Sequence, residues 1–161
     1  MLILETKKKP KSNYLTKTTQ EKKYNKTLDI VVKERIFDKM NLKRTMFNTN
    51  KNSSLHDNIV PSEIDNYFRN QELKGYVHDM AAAMLGGIAG HAGLFSNSFE
   101  VASLMQMYLN KGNYDGKNFF SSETFEKFNN CIYCHNGNRR GVGFDKPQIE
   151  GSGSTCGCVS S

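Results

Sequence analysis

The sequence predicts an α+β domain that consists mostly of helices and long loops, with few strands. Two segments carry apolar residues at helical spacing, a polar stretch rich in Asn, Ser and Asp lies between them, and a glycine-rich stretch precedes the second helical segment. The 161 residues make about one domain, and 37% of them are hydrophobic, less than the ~45–50% of most globular chains. This composition excludes a membrane-spanning protein, a collagen and a disulfide-dense miniprotein.

The positive charge is concentrated at the start of the chain. Residues 1–26 hold eight lysines and two acids, which account for the whole net charge of +6. No recognised nucleic-acid motif accompanies this run, so we expect a solvated surface and no nucleic-acid partner. Because Glu5 and then three lysines follow the apolar residues 1–4, we also expect no signal peptide here. We therefore divide the chain into a lysine-rich lead-in (1–26), one domain (27–150) and a Gly/Ser/Cys-rich tail (151–161).

The first helix is predicted to begin after Thr27. Four apolar residues fall on one face of this helix: Leu28, Val31, Val32 and Ile36. Residues 41–44 mark its exit, and residues 45–47 are predicted to form a short extended piece. Residues 48–66 are rich in Asn, Ser and Asp, which predicts a long surface loop.

The stretch from Gly75 to Ser96 differs from the rest of the chain. Its alanines favour a short helix that ends at Gly86, and the glycines that follow would let backbone or a ligand approach closely. The residues predicted to line a pocket here are Gly87, Gly90, His91 and Gly93. The stretch lacks the Gly-x-x-x-x-Gly-Lys-Ser/Thr pattern of a phosphate loop. Its apolar run of 16 residues is shorter than the ~20 that span a bilayer, so no membrane span is expected.

The same stretch contains two histidines beside small residues. His78 and Asp79 are adjacent in sequence, and neighbours on a strand point to opposite faces, so we expect turn and packing hydrogen bonds from them and no proton relay. For His91, which lies between glycines, pocket lining and structural packing both stay open.

A second helix is predicted over residues 98–110. Asn97 and Glu100 have the spacing of a capping box, and Gly112 is a fitting stop. An apolar stripe runs along this helix and is predicted to be buried. It consists of Val101, Leu104, Met105, Tyr108 and Leu109.

The last predicted elements follow this helix. A shorter helix is expected to begin after Ser121 or Ser122, with Phe125 and Phe128 on one side. Residues 141–144 are predicted to form a strand.

Four cysteines allow several kinds of chemistry. Residues 131–135 match the Cys-x-x-Cys-His pattern of haem c attachment, and the four thiols Cys131, Cys134, Cys156 and Cys158 could bind zinc, form disulfides or stay free. Haem c attachment also requires export, and Cys-x-Cys is a poor zinc knuckle beside a second Cys-x-x-Cys. We therefore expect no metal and no other cofactor, while a protein built on its cysteines remains an alternative.

Several segments, taken in order, resemble one protein family. They are residues 32–48, 59–63, 77–79, 85–96 and 138–147. Together they are similar to the serine β-lactamase-related family of penicillin-recognising hydrolases, in particular to its Bacteroidetes-type members, which are often fused behind a family 3 glycoside hydrolase domain. The resemblance covers roughly residues 20–150.

The chain lacks the catalytic motifs of that family. The family uses a Ser-x-x-Lys helix for its nucleophile and base, a Tyr-x-Asn loop, and a Lys-Thr-Gly or His-Thr-Gly strand. None of the 13 serines has a lysine three positions later, and neither Lys-Thr-Gly nor His-Thr-Gly occurs. The one Tyr-x-Asn match, at residues 108–110, falls in a predicted helix and not in a loop. The resemblance therefore transfers no catalytic residue to this chain, and it implies that the glycine-rich stretch is a wall beside the active site.

The resemblance implies an internal fragment of a β-lactamase/transpeptidase-like domain that is inactive alone. The parent protein would act on ester, amide or β-lactam bonds of a small-molecule or peptidoglycan-like substrate, and the family's usual location is the periplasm or cell envelope. The alternative is a non-catalytic relative that serves as a binding or interaction module.

Overall fold

The computed structural model describes residues 12–49 and 53–131. The predicted strand at 141–144 and the tail at 151–161 lie outside this part. Helices are interspersed with short strands that form three antiparallel pairs in the described residues, which confirms the α+β class. The helices are α1 (Ser12–Tyr24), α2 (Leu28–Val32), α3 (Ser53–His56), α4 (Met80–Met84), α5 (Ser98–Leu109) and α6 (Ser122–Asn129). The strands are β1 (Met46–Phe47), β2 (Glu63–Asp65), β3 (Gln71–Leu73), β4 (Leu94–Phe95), β5 (Asn113–Tyr114) and β6 (Lys117–Asn118).

The chain divides into two compact units, residues 1–102 and residues 103–161. In the first unit, the strands pair β1 with β4 and β2 with β3. A small buried cluster of Val77, Ala82 and Ala89 lies within the glycine-rich stretch. In the second unit, β5 pairs with β6.

Helix α1 lies inside the lysine-rich lead-in and is unexpected from the sequence pattern. It carries no apolar stripe that would announce a helix, and its last turn holds Lys22 and Lys23, where the partial negative charge of a helix end favours cations. The Lys17 ammonium contacts the Glu21 carboxylate one turn away, at 3.8 Å, and donates to the Leu85 carbonyl at 3.2 Å. The second contact ties α1 to the glycine-rich stretch.

Helix α2 begins as predicted, and a π turn (Lys33–Phe37) extends it. In this turn the Asp38 N–H donates to the Lys33 carbonyl at 2.9 Å, five residues back. One extra residue per turn delays the helical phase by about 100°. This is why Phe37 and Met40 are buried although the 3.6-residue period selects Val32 and Ile36, which are only half-buried.

The predicted helix exit is confirmed at Asn41. This residue has a φ of 59°, and the Leu42 N–H reaches back to the Phe37 carbonyl at 2.8 Å. Asn tolerates this left-handed conformation better than most residues, so it ends the helix where a glycine often would. The extended piece then forms β1, which pairs Met46 with Phe95 and Phe47 with Leu94.

The prediction of one long loop over residues 48–66 is wrong. The segment contains helix α3 and strand β2, and two of its polar side chains are buried: Thr49 and Asp65. Thr49 is polar but satisfied, because its hydroxyl donates to the Gly75 carbonyl at 2.6 Å. A composition rich in Asn, Ser and Asp therefore predicted a loop where the chain forms hydrogen-bonded secondary structure.

Helix α5 confirms the second predicted helix, but most of its apolar stripe is not buried. Asn97 caps the helix, since its side-chain oxygen accepts from the Glu100 N–H at 2.9 Å. Val101 is 44%, Met105 47% and Leu109 70% exposed, whereas Met107 on another face is 6% exposed. Leu104 and Tyr108 are half-buried, and Tyr108 packs against Phe125, so only part of the stripe is covered in the described residues. The expectation that the whole stripe forms core is therefore wrong.

The second unit holds a tight hairpin that the sequence analysis did not anticipate. Strands β5 and β6 are joined by Asp115 and Gly116, whose φ values of 49° and 70° suit a two-residue turn of the kind that Asp-Gly favours. Helix α6 follows as predicted, with the Ser121 hydroxyl accepting from the Thr124 N–H at 3.2 Å. The Phe125 ring packs against Tyr108 with the ring centres 4.8 Å apart.

Candidate functional site

The glycine-rich stretch begins with a capped helix. The Asp79 carboxylate accepts from the Ala82 N–H at 2.7 Å and so satisfies one free donor of the first turn of α4. After the C-cap residue Leu85 the chain turns at Gly86 and Gly87, whose φ values are 79° and 78°. The predicted short alanine-rich helix is confirmed, but it ends at Met84, two residues before the predicted end at Gly86.

The same carboxylate holds His91 across the loop. The His91 Nε2 lies 3.0 Å from the Asp79 Oδ1, and the His91 side chain is 28% exposed. The Ala82 N–H first, and then the His91 ring, lower the pKa of Asp79, so the carboxylate is ionised at neutral pH. His78, the neighbour in sequence, pairs instead with Glu63 at 2.6 Å. As predicted, His78 and Asp79 form no relay with each other.

Gly87 and Gly93 are needed for the closure of the loop. A Cβ added at Gly93, which has a φ of 104°, would lie 2.1 Å from the Gly87 carbonyl oxygen. A Cβ added at Gly87 would lie 2.3 Å from the Asn48 side-chain oxygen. Asn48 in turn donates to the Gly86 carbonyl at 2.8 Å. The loop therefore folds back on itself so closely that backbone atoms exclude any side chain at Gly93, whereas glycine at Gly87 is favoured by its φ of 78°.

Asp65 anchors the turn that precedes this stretch. Its carboxylate accepts from the backbone N–H groups of Tyr67 at 3.0 Å, Phe68 at 2.8 Å and Arg69 at 3.2 Å, and from the Arg69 Nε at 2.7 Å. The Phe68 N–H, followed by the Arg69 side chain, holds the pKa of Asp65 far below its usual range. Four donors on one buried carboxylate make the turn rigid.

Arg69 connects the turn at Asp65 to the glycine-rich stretch. Its two terminal nitrogens donate to the carbonyls of Val77, at 2.6 Å, and His78, at 2.5 Å. These carbonyls directly precede Asp79, so the guanidinium fixes the backbone that presents the carboxylate to His91. Sequence reasoning missed Asp65 and Arg69, although an acid and an arginine four residues apart are a recognisable pair.

The four predicted pocket residues do not share one environment. Gly87 and Gly93 are buried in the loop closure, whereas Gly90 and His91 are exposed. Two cavities in the first unit are lined by other residues. The assignment of these four residues to a pocket therefore stays a prediction.

The first cavity has a volume of about 320 Å³ and lies beside α2 and β1. Its charged side chains include Lys33 and Asp38, which pair with each other at 2.5 Å. The second cavity has about 340 Å³ and lies between β1, β4 and residues 55–62. Both volumes are within the range of small-molecule sites.

The described residues include one of the four cysteines and allow a search for clusters of metal-ligating side chains. No group of three His, Cys, Asp or Glu side chains that could hold a metal ion occurs in residues 12–49 and 53–131. Cys131 is disulfide-bonded, which agrees with one of the alternatives that the sequence left open. Cys134, Cys156 and Cys158 lie outside the described residues. No helix in this part of the chain is long and apolar enough to cross a membrane.

Comparison with known proteins links the chain to named enzymes. It is 32% identical over 122 residues to an N-acetylmuramyl-L-alanine amidase of Bacillus subtilis, which covers 67% of this chain and 27% of the relative. It is 36% identical over 115 residues to a putative D-alanyl-D-alanine carboxypeptidase of Escherichia coli K12, covering 63% and 26%. A protein of the same description from Salmonella typhi is 34% identical over 112 residues, with the same coverage.

The chain thus spans about a quarter of the length of the curated relatives it matches. No protein-family model matches the chain. No solved structure matches it either. The class of protein to which the similarity points is that of hydrolases, because amidase and carboxypeptidase are both names of hydrolytic enzymes.

Proposed function

We propose that this chain is a segment of a cell-wall hydrolase of the serine β-lactamase-related class. The observation that carries the proposal is the 32–36% identity to two relatives whose names describe an amidase and a carboxypeptidase. The parent protein would cleave amide or ester bonds of a peptidoglycan-like substrate through acyl transfer. Its location would be the periplasm or cell envelope, and a fused glycoside hydrolase domain is part of the same proposal.

The arrangement of the described residues supports this reading. The segments that resemble the family lie far apart in sequence, yet β1 from one segment pairs with β4 from another. Asn48, at the end of the first segment, donates to the Gly86 carbonyl in the second. Segments that pack on each other form a coherent part of one domain.

In this proposal the chain supplies structure and a wall of the site, and the nucleophile comes from elsewhere in the domain. Acyl transfer needs a serine activated by a neighbouring base, and no Ser-x-x-Lys occurs in the sequence. Gly87, Gly90, His91 and Gly93 would form the wall. Asp79 would keep the His91 ring in a fixed orientation there.

A non-catalytic binding module is the second candidate, since no Ser-x-x-Lys lies within these 161 residues. Such a module would bind peptidoglycan-like ligands without covalent chemistry. The two candidates differ in what the segment does inside a complete domain. A segment of an enzyme is expected to replace the matching part of an active relative, whereas a segment adapted to binding alone is not.

The test is a chimera of the Escherichia coli relative in which residues 28–131 of this chain replace the matching segment. We expect the folded chimera to hydrolyse a D-alanyl-D-alanine peptide at a measurable fraction of the rate of the unchanged relative. A second chimera with Gly93→Val is the matched control, because the added side chain blocks loop closure. A folded first chimera without activity would exclude the enzyme segment and leave the binding module.

A further inference from the structure

The second cavity carries an unpaired positive charge. Arg44 lines it, and the Arg44 guanidinium makes no ion pair or hydrogen bond with any residue that the structure describes. No other Lys, Arg, Asp or Glu belongs to the described lining. An isolated guanidinium at the edge of a cavity attracts an anion, and its planar fork matches a carboxylate.

The first cavity shows the contrast. It is almost as large, but its lining includes Lys33 and Asp38, whose charges neutralise each other. Its other charged lining residues are Asp29 and Lys43, so both signs are represented. Only the second of these two cavities presents a net charge of one sign to a ligand.

The backbone of Arg44 is held in place. The Glu100 carboxylate accepts from the Arg44 N–H with both oxygens, each at 3.0 Å, and from the Lys43 N–H at 2.9 Å. Glu100 therefore satisfies the backbone of this segment without using the Arg44 side chain. The guanidinium therefore extends from a backbone that is held in place at the cavity rim.

The remaining polar groups of the cavity also suit an anion with an apolar body. In the described residues, the side chains of Asn58 and Ser62 form no hydrogen bond, and the Asn97 amide nitrogen is unused while its oxygen caps α5. These groups can donate to a carboxylate. The walls between them are apolar and come from Met46, Leu55, Ile59, Val60 and Phe95.

We propose that the cavity between β1, β4 and residues 55–62 binds a small amphipathic monocarboxylate. Arg44 contacts the carboxylate, and Met46, Ile59 and Phe95 contact the apolar body. This site is separate from the acyl-transfer chemistry proposed above and does not depend on it. Its ligand would be bound whether or not the chain belongs to an enzyme.

The experiment is an NMR titration of the ¹⁵N-labelled 161-residue chain with 4-phenylbutyrate. The neutral 4-phenylbutanamide is the matched ligand, because it differs only in the carboxylate. We expect the carboxylate to bind with a dissociation constant of about 1 mM or lower and to shift the amide signals of residues 44–47 and 58–62. The amide should bind about tenfold more weakly.

Variants of the chain test whether the Arg44 side chain supplies the positive charge that binds the carboxylate. Arg44→Gln should weaken 4-phenylbutyrate binding about tenfold, whereas Lys43→Gln, which removes the neighbouring exposed cation, should leave it unchanged. Val60 is 80% exposed, so Val60→Asp should fold and should weaken binding by repelling the anion. Equal affinity for the two ligands, no loss in Arg44→Gln, or no binding by the folded chain would each overturn the proposal.

Discussion

The Glu100 carboxylate accepts a 2.5 Å hydrogen bond from the Thr45 hydroxyl, although 55 residues separate them in sequence. Thr45 is buried, and its hydroxyl also lies 2.7 Å from the Ser96 hydroxyl. The spacing of Asn97 and Glu100 predicts a capping box, in which the Glu side chain would return to the cap residue. Glu100 instead binds the strand entrance at residues 43–45, so a helix-start motif becomes a tertiary contact.

Glu100→Ala should therefore lower the free energy of unfolding by about 1–3 kcal/mol. The substitution leaves the two backbone N–H groups and the Thr45 hydroxyl without this acceptor. Urea denaturation measures the loss, and Glu126→Ala is the control. Glu126 pairs with Lys111 at an exposed position, so its removal should cost less than about 0.5 kcal/mol. Equal costs for the two variants would show that the Glu100 contacts are not made.

Helix α5 should be anchored through Met107 and not through the predicted stripe. Met107 is 6% exposed, so Met107→Ala should cost about 2–5 kcal/mol. Leu109 is 70% exposed, and Leu109→Ala should cost less than about 0.5 kcal/mol. Thermal and urea unfolding of both variants would compare them. A larger effect at Leu109 would mean that the stripe is covered in solution.

Substitutions at Gly86 and Gly93 distinguish the cost of a strained backbone conformation from the cost of a steric clash. Gly86 has a φ of 79° and open space around its Cβ position, so Gly86→Ala should cost about 1–2 kcal/mol from conformation alone. Gly93→Ala should cost about 2 kcal/mol more, because its Cβ would lie 2.1 Å from the Gly87 carbonyl oxygen. Urea titrations decide the order. If the two variants lose the same free energy, the loop closure described for Gly93 does not hold in solution.

Acid should remove the contribution of Asp65 to stability. The pKa of Asp65 is lowered in the folded chain, chiefly by the Phe68 N–H and the Arg69 side chain, so the contribution is present above the unfolded value of about 4. It is lost as the pH falls below about 4 toward the folded pKa. Asp65→Asn should be less stable than the native chain at pH 7, and the difference should shrink at acid pH. A difference that stays constant from neutral to acid pH would contradict this.

The chain by itself should show no serine hydrolase chemistry. No serine has a lysine one helical turn later, so no serine of this chain has the base that would activate it as a nucleophile. We expect no labelling by a fluorophosphonate and no hydrolysis of a chromogenic β-lactam or a p-nitrophenyl ester above a denatured control. Stoichiometric labelling at one serine, abolished by its change to Ala, would reveal a nucleophile outside the known motifs.

Local patterns predicted most of the helices and one strand. The apolar spacing after Thr27, the alanines before Gly86 and the Ser121 cap all led to elements that the structure contains. The π turn was invisible, because a 3.6-residue period cannot represent an inserted residue. The hairpin at Asp115 and Gly116 had a clear signal that was overlooked, since Asp-Gly is a preferred two-residue turn.

The candidate site was predictable only in part. The glycines of the stretch indicated close backbone approach, and Gly87 and Gly93 show it. The Asp79–His91 contact could not be read from the sequence, because it joins residues 12 positions apart through a loop of irregular shape. Arg69 reaches two carbonyls whose positions depend on the whole turn, so no local spacing announces that contact.

The π turn at residues 33–37 has a consequence for sequence alignment. A π turn equals a regular helical turn with one residue added, and the helix on either side keeps the phase that it would have without that residue. A relative that lacks one residue in this segment would form a continuous α-helix and would still bury the positions equivalent to Val31 and Phe37. A one-residue gap placed here in an alignment therefore costs nothing structurally, whereas a gap in the middle of α5 would turn every later side chain of that helix by about 100°.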